Sequence, residues 1–185
     1  MKHALSAFAF TVLMMATAAP SAAQAPANLK ADLVKSVTEA EQKFVGLAEA
    51  FSVAQYDWRP GEGVRSVREV LLHVAADNYF LPAALGIEAP AATKITATEF
   101  AAVQAFEKQN LDRGATVAEL RASFEHLREG LESISDDRMN ENIKFFGQDF
   151  TVRGLLLAAT THLHEHLGQS IAYARMNGVK PPWSR

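Results

Sequence analysis

A chain of 185 residues with 18 basic and 21 acidic side chains, a net charge of −3 and no cysteine is long enough for one domain. It carries no disulfide, no thiolate nucleophile and no Cys-based metal site. The weak negative balance and the lack of a basic tract leave no positive groove to wrap a phosphate backbone, so no nucleic-acid partner is expected.

Lys2 and His3 precede an apolar run from Ala4 to Ala19, followed by the small residues PSAAQAPA. This is the layout of a secretory signal peptide. Cleavage after Ala23 is favoured, with Ser21 and Ala23 in the two small-residue positions; Ala25 is the rival, but Pro26 would then follow the cut. The run is short for a bilayer span of about 20 residues, so no stable membrane span is expected in the mature chain, an uncleaved anchor being the alternative. The expected organisation is a signal peptide over 1–23 and a single domain over 24–185, exported to the periplasm or the exterior.

The first long helix is expected from about Leu29 to Gln55, with Leu33, Val37, Phe44, Leu47 and Phe51 in an amphipathic stripe. Pro60, Gly61 and Gly63 interrupt the pattern. Ser66 and Glu69 make a capping box for a second helix from Val67 to about Leu85, with Pro82 near its end and Gly86 as its stop. A loop from Ile87 to Lys94 leads to a short helix from Ala97 to about Gln109, which Thr96 and Glu99 would cap. Thr116 and Glu119 repeat the cap signal before a third long helix that runs to about Ile134, with Leu120, Phe124, Leu127 and Leu131 inward. Ser135 to Asp149 reads as a polar connection with an aromatic patch at Phe145 and Phe146. The last long helix runs from Val152 to about Asn177, with Thr151 as N-cap and Phe150 packed on Leu155; Gly178 ends it. No strand is expected. The economical solution is an all-α four-helix bundle with an additional short helix in a long connection.

The segment TTHLHEHLG places His162, His164 and His166 on the last helix. Residues four apart share a helical face. Counting about 100° per residue from Val152, His162 falls near 280° and His166 near 320°, within or beside the stripe of Leu155, Ala159 and Leu163, whereas His164 falls near 120° and faces solvent. Two inward imidazoles need partners, because burying polar groups uncompensated is costly. A metal ion supplies one, and His73 on the second helix is the natural third ligand, with Asp77 one turn on to orient it or to bind metal itself. Ordinary hydrogen-bonded histidines are the competing reading. His126 and Glu165 are expected at the surface. HLHEH is not HExxH, so a thermolysin-like mechanism is unsupported.

The run H162-L-H-E-H166-L-G168-Q169, the ending IAYARMNGVKPP and the earlier YDWRPGEGVRSVREVLLH together resemble the DinB/YfiT-like family of metal-binding four-helix bundles over nearly all of Leu29 to Trp183. The resemblance implies a divalent-metal triad of His73, His162 and His166, with zinc or nickel the typical ion. It also implies a possible small-molecule substrate or thiol, since some relatives are thiol S-transferases. The export signal departs from the cytoplasmic setting of those enzymes. Three protein nitrogens leave a position for water or a thiol, whose pKa the ion lowers. The reading is therefore a metal-dependent transferase or hydrolase acting through a metal-bound thiol or water, with no catalytic residue assigned. Tyr79, Trp58 and Arg175 are candidates to border a pocket. The alternative is a non-catalytic metal-binding or protein-interaction module; homodimerisation through helix faces is compatible with either.

Overall fold

The computed structural model describes residues Asn28 to Ser184; the signal peptide expected over 1–23 lies outside them. Five helices and one hairpin follow in order: α1 (Leu29–Ala50), α2 (Val67–Ala83), α3 (Phe100–Glu107), α4 (Arg113–Ser133), β1 (Asn142–Phe145), β2 (Gln148–Thr151) and α5 (Val152–Met176). The four long helices form the bundle, and the short α3 lies against α2.

The packing is not a simple up-and-down ring. α4 and α5 each pack on both α1 and α2, so α1 and α2 occupy diagonal corners. The long α1–α2 and α2–α4 connections permit this arrangement. It makes α2 the central helix: 13 of its 17 residues are buried, from Val67 through Pro82. It also sets α2 beside α5, the two helices that carry the inward histidines. Phe44 of α1 and Phe124 of α4 meet at 5.9 Å between ring centres, and Leu47, Leu71, Leu72, Leu120 and Leu155 are buried in the same core cluster. Among the described residues no helix is long and apolar enough to cross a membrane.

Local chemistry sets the boundaries, and several depart from expectation. The Ser66–Glu69 capping box starts α2 as read: Ser66 Oγ accepts from the Glu69 amide at 3.2 Å, and Glu69 Oε2 accepts from the Ser66 amide at 2.7 Å. Thr151 caps α5 by accepting from the Gly154 amide. α1, by contrast, stops at Ala50 rather than Gln55. Phe51 turns extended, and Ser52 and Gln55 cap a separate short turn. The short helix begins at Phe100 after Glu99, not at Ala97 after Thr96. α4 begins four residues earlier than expected, because Asp112 rather than Thr116 is its N-cap and accepts from the Ala115 amide. Thr116 is a buried helical residue whose hydroxyl donates back to the Asp112 carbonyl at 2.7 Å.

The polar connection contains a β-hairpin that the sequence reading excluded. Its strands pair Asn142 with Thr151 through Phe145 with Gln148. Phe146 and Gly147 form the two-residue turn, both with positive φ, 47° and 75°, as a type I′ turn requires. Four-residue strands with a Phe-Gly turn lack the longer alternation and the Asn-Gly signal that mark most hairpins. The hairpin leads into α5 without a break and sets Phe145 and Phe150 against the bundle.

Candidate metal centre

α2 presents His73 and Asp77 one turn apart, and α5 presents His162 and His166 one turn apart. Because α2 and α5 are neighbours, the two pairs face each other. One ligand atom from each of the four residues lies within 4.8 Å of all the others. His166 Nε2 is 2.9 Å from His73 Nε2 and 3.1 Å from His162 Nε2. Asp77 Oδ2 is 2.9 Å from His162 Nε2 and 3.2 Å from His73 Nε2. Asp77 thus joins the ring of converging atoms instead of orienting His73 from behind.

Other residues orient the imidazoles. Glu107, the last residue of α3, accepts from His73 Nδ1 at 2.7 Å. Arg65 donates to both oxygens of the same carboxylate, at 2.9 and 3.2 Å. Gln169, one turn beyond His166, accepts from His166 Nδ1 at 2.8 Å; its amide nitrogen donates to the Tyr173 hydroxyl, which donates in turn to the Arg65 carbonyl. An acceptor at Nδ1 fixes the hydrogen there and leaves the lone pair on Nε2. His73 and His166 therefore aim two lone pairs at each other across 2.9 Å, beside a carboxylate oxygen. Such an arrangement is repulsive unless a proton or a metal ion lies among the atoms, and a set of imidazoles plus one carboxylate suits a divalent transition metal. The residues present fit the ion.

The electrostatics of the cluster are mixed. Burial pushes the Glu107 carboxyl upward, but the hydrogen bonds and charges of His73 and Arg65 outweigh it and hold the group at about 2. It stays an anion behind His73. The hydrogen bond to Asp77 raises the His162 pKa against the effect of burial. Burial lowers that of His166, and the neighbouring His73 and His162 lower it further. Neutral imidazole is the ligating form, which the shift at His166 favours and the shift at His162 opposes.

Three further residues can be placed. His164 is exposed, with Nδ1 on the Thr160 carbonyl at 2.8 Å, and is remote in direction from the cluster as the helical phase requires. Glu165 is also exposed, its carboxylate 3.5 Å from His162 Nδ1. His126 departs from the surface position expected of it. It is half-buried on α4, its ring 5.3 Å from that of Tyr79, and its Nε2 is buried without a hydrogen-bond partner among the described residues. Glu107 was not singled out from the sequence. Its signal was its register: it falls four residues after the buried Val103, on the inner face of α3. The role of Gln169 was legible in the same way, three residues after His166.

A cavity of about 350 Å³ opens beside the cluster. His73, Asp77 and His162 form one end, and Phe80, Phe100, Phe145, Phe146 and Phe150 supply much of the rest. The residues expected at a pocket rim do other work. Tyr79 donates to Glu119 at 2.8 Å, Trp58 packs edge-on to Tyr173 at 5.4 Å, and Arg175 is exposed near the end of α5.

A helical bundle with a half-buried histidine–carboxylate cluster at the junction of two helices defines a metal-binding bundle protein. The chain belongs to the DinB superfamily, whose family model matches residues 36–170. YfiT from Bacillus subtilis, described as a probable metal-dependent hydrolase with an unusual four-helix bundle topology, superposes with a TM-score of 0.62 at 17% identity, covering 90% of this chain and 95% of that one. A DinB-like protein from Bacillus cereus superposes at 0.66 with 14% identity over 83% of this chain and 95% of that one. The mycothiol-dependent maleylpyruvate isomerase reaches 0.58 at 14% identity, over 75% of this chain and 59% of the isomerase. At these identities the likenesses show the fold. No match was found among curated protein sequences.

Proposed function

We propose that the chain is a metal-dependent enzyme acting on a small molecule, with His73, His162 and His166 as the ligands of one divalent ion. The observation that carries this reading is that the metal cluster forms one wall of a substrate-sized cavity: His73, Asp77 and His162 belong to both. A purely structural site is usually closed by its protein ligands, whereas a catalytic one keeps an open side. Zinc or nickel suits the donor set. When bound, the ion would supply Lewis acidity, which acidifies a coordinated water or thiol and polarises a carbonyl.

The protein's own part is positional. Glu107 and Gln169 lock the tautomers of His73 and His166, so that the ring nitrogens meet the ion without reorganisation. Asp77 is the one carboxylate on both the cavity wall and the nitrogen ring. Its Oδ2 is placed to hold the proton released by a nucleophile at the inner end of the cavity. The family resemblance to thiol-using relatives supports a thiol or water as the nucleophile.

The test is elemental analysis of protein purified without an affinity-tag metal column, followed by hydrolysis and thiol-transfer assays. The expected result is one equivalent of zinc or nickel, with turnover lost when the ion is removed. Protein that holds no divalent ion under these conditions, or turnover that survives its removal, overturns the reading. We also propose export, supported by the Lys2 start and the apolar run to Ala19; N-terminal sequencing of the secreted chain should begin at Gln24.

A further inference from the structure

The cavity has a composition that narrows what it holds. Five phenylalanines from α2, α3 and the hairpin surround it, and the rings are linked: Phe80 lies 5.7 Å from both Phe145 and Phe146, and Phe100 stands edge-on to Phe146 at 5.7 Å. No lysine or arginine lines it, and its ionisable groups, Asp77 and the two imidazoles, are confined to the metal end. Nothing along the walls would compensate a carboxylate or phosphate on the ligand, whose burial without a partner is costly.

Phe146 supplies the second observation. It occupies the left-handed region, φ 47°, where a bulky residue is a genuine outlier and asparagine is favoured. Its side chain is 65% exposed, so burial of its own surface does not account for the choice. What the ring does is lie against Phe80, Phe100 and Phe145 at the cavity wall. A strained backbone that persists at a pocket edge points to a ligand contact.

We infer that this cavity binds an uncharged aromatic group of a small molecule, with Phe146 completing its wall by ring-to-ring contact. Volume supports it: ligand pockets commonly enclose roughly 300–1,000 Å³, and about 350 Å³ suits a single ring with a short substituent. Edge and face contacts among phenyl groups favour a flat aromatic ring over a saturated one of equal size. Only the statement that this molecule is a substrate rests on the enzymatic reading above; the binding does not. In that case the ring lies among the phenylalanines and the reacting bond points toward Asp77 and the imidazoles.

The experiment titrates the chelator-treated full chain with benzyl alcohol, cyclohexylmethanol and benzoate, followed by amide chemical shifts. Benzyl alcohol should shift residues of the hairpin and α3, and bind about tenfold more tightly than either of the others. A Phe146→Asn chain should melt no lower than the parent, because the turn is relieved, and yet bind benzyl alcohol several-fold more weakly. Equal affinity for benzoate, shifts confined to another face, or unchanged binding by Phe146→Asn overturns the inference. So does concentration-dependent self-association through the phenylalanine patch that blocks the probe, which would make a second copy of this chain the occupant. Metal content, read separately, distinguishes the two proposals. A chain that holds its ion but rejects benzyl alcohol refutes the cavity's role alone. One that takes the probe but never holds an ion refutes the metal-enzyme reading and leaves the binding in place.

Discussion

His73 and Glu107 are joined by a 2.7 Å hydrogen bond from the ring Nδ1 to a carboxylate held by Arg65, and this bond decides which nitrogen of the imidazole keeps a free lone pair. It crosses from α2 to the end of α3, so the short helix has a role in the site that its length would not suggest. Replacing Glu107 with Ala removes the acceptor and frees the tautomer of His73. Metal affinity should fall about 10–100-fold, the usual cost of losing such a partner. Competition against a chelator of known affinity checks this, and Glu107→Gln should retain part of the loss.

The ligands themselves should behave as a set. Replacing His73, His162 or His166 with Ala leaves the remaining ligand atoms, within 4.8 Å of one another in the native site, one donor short. Bound metal per chain should drop to a small fraction in each. His164→Ala should change metal content little, since that ring faces solvent on the Thr160 carbonyl. Elemental analysis of the four proteins decides it; near-total loss in the His164 variant would contradict the assignment.

Tyr56 gives the protein an alkaline limit. Its hydroxyl donates to the Ala48 carbonyl at 2.7 Å, and burial pushes its pKa up to about 12 against the pull of Arg113. In the unfolded chain the phenol ionises near about 10. The folded state therefore favours the neutral form. This contribution is intact below the unfolded pKa and is lost as pH rises through the folded one. Tyr56→Phe should start about 1 kcal/mol less stable at neutral pH for want of the hydrogen bond and show a flatter decline between those two values, as read by denaturant melts across the range.

The core prediction separates packing from composition. Phe124 is fully buried against Phe44, so Phe124→Ala should cost about 3–5 kcal/mol. Val53 is 69% exposed, and Val53→Ala should stay within about 0.5 kcal/mol. Chemical denaturation of both chains measures the contrast.

Much of this molecule is legible in one dimension because helices repeat. The inner stripes, the capping box at Ser66 and Glu69, the Thr151 cap and the shared face of His162 and His166 are all relationships within four residues, where backbone geometry alone fixes direction. The opposite direction of His164 follows from the same phase. The start of α4 was less legible, because Asp112 caps it ahead of Gly114, and a glycine in a first turn reads as a break.

Tertiary structure decided the rest. The Nε2 of His73 meets that of His166, 93 positions later, only because α1 and α2 take diagonal corners and leave α2 beside α5. Glu107 reaches His73 because α3 folds back onto α2. The aromatic cavity assembles from α2, α3, α5 and the hairpin, and its Phe146 is held at a positive φ that local preference opposes. The periodicity of a helix is a property of its own covalent chain. Which helices become neighbours depends on how their apolar faces are jointly covered, and that sum is taken over the whole fold.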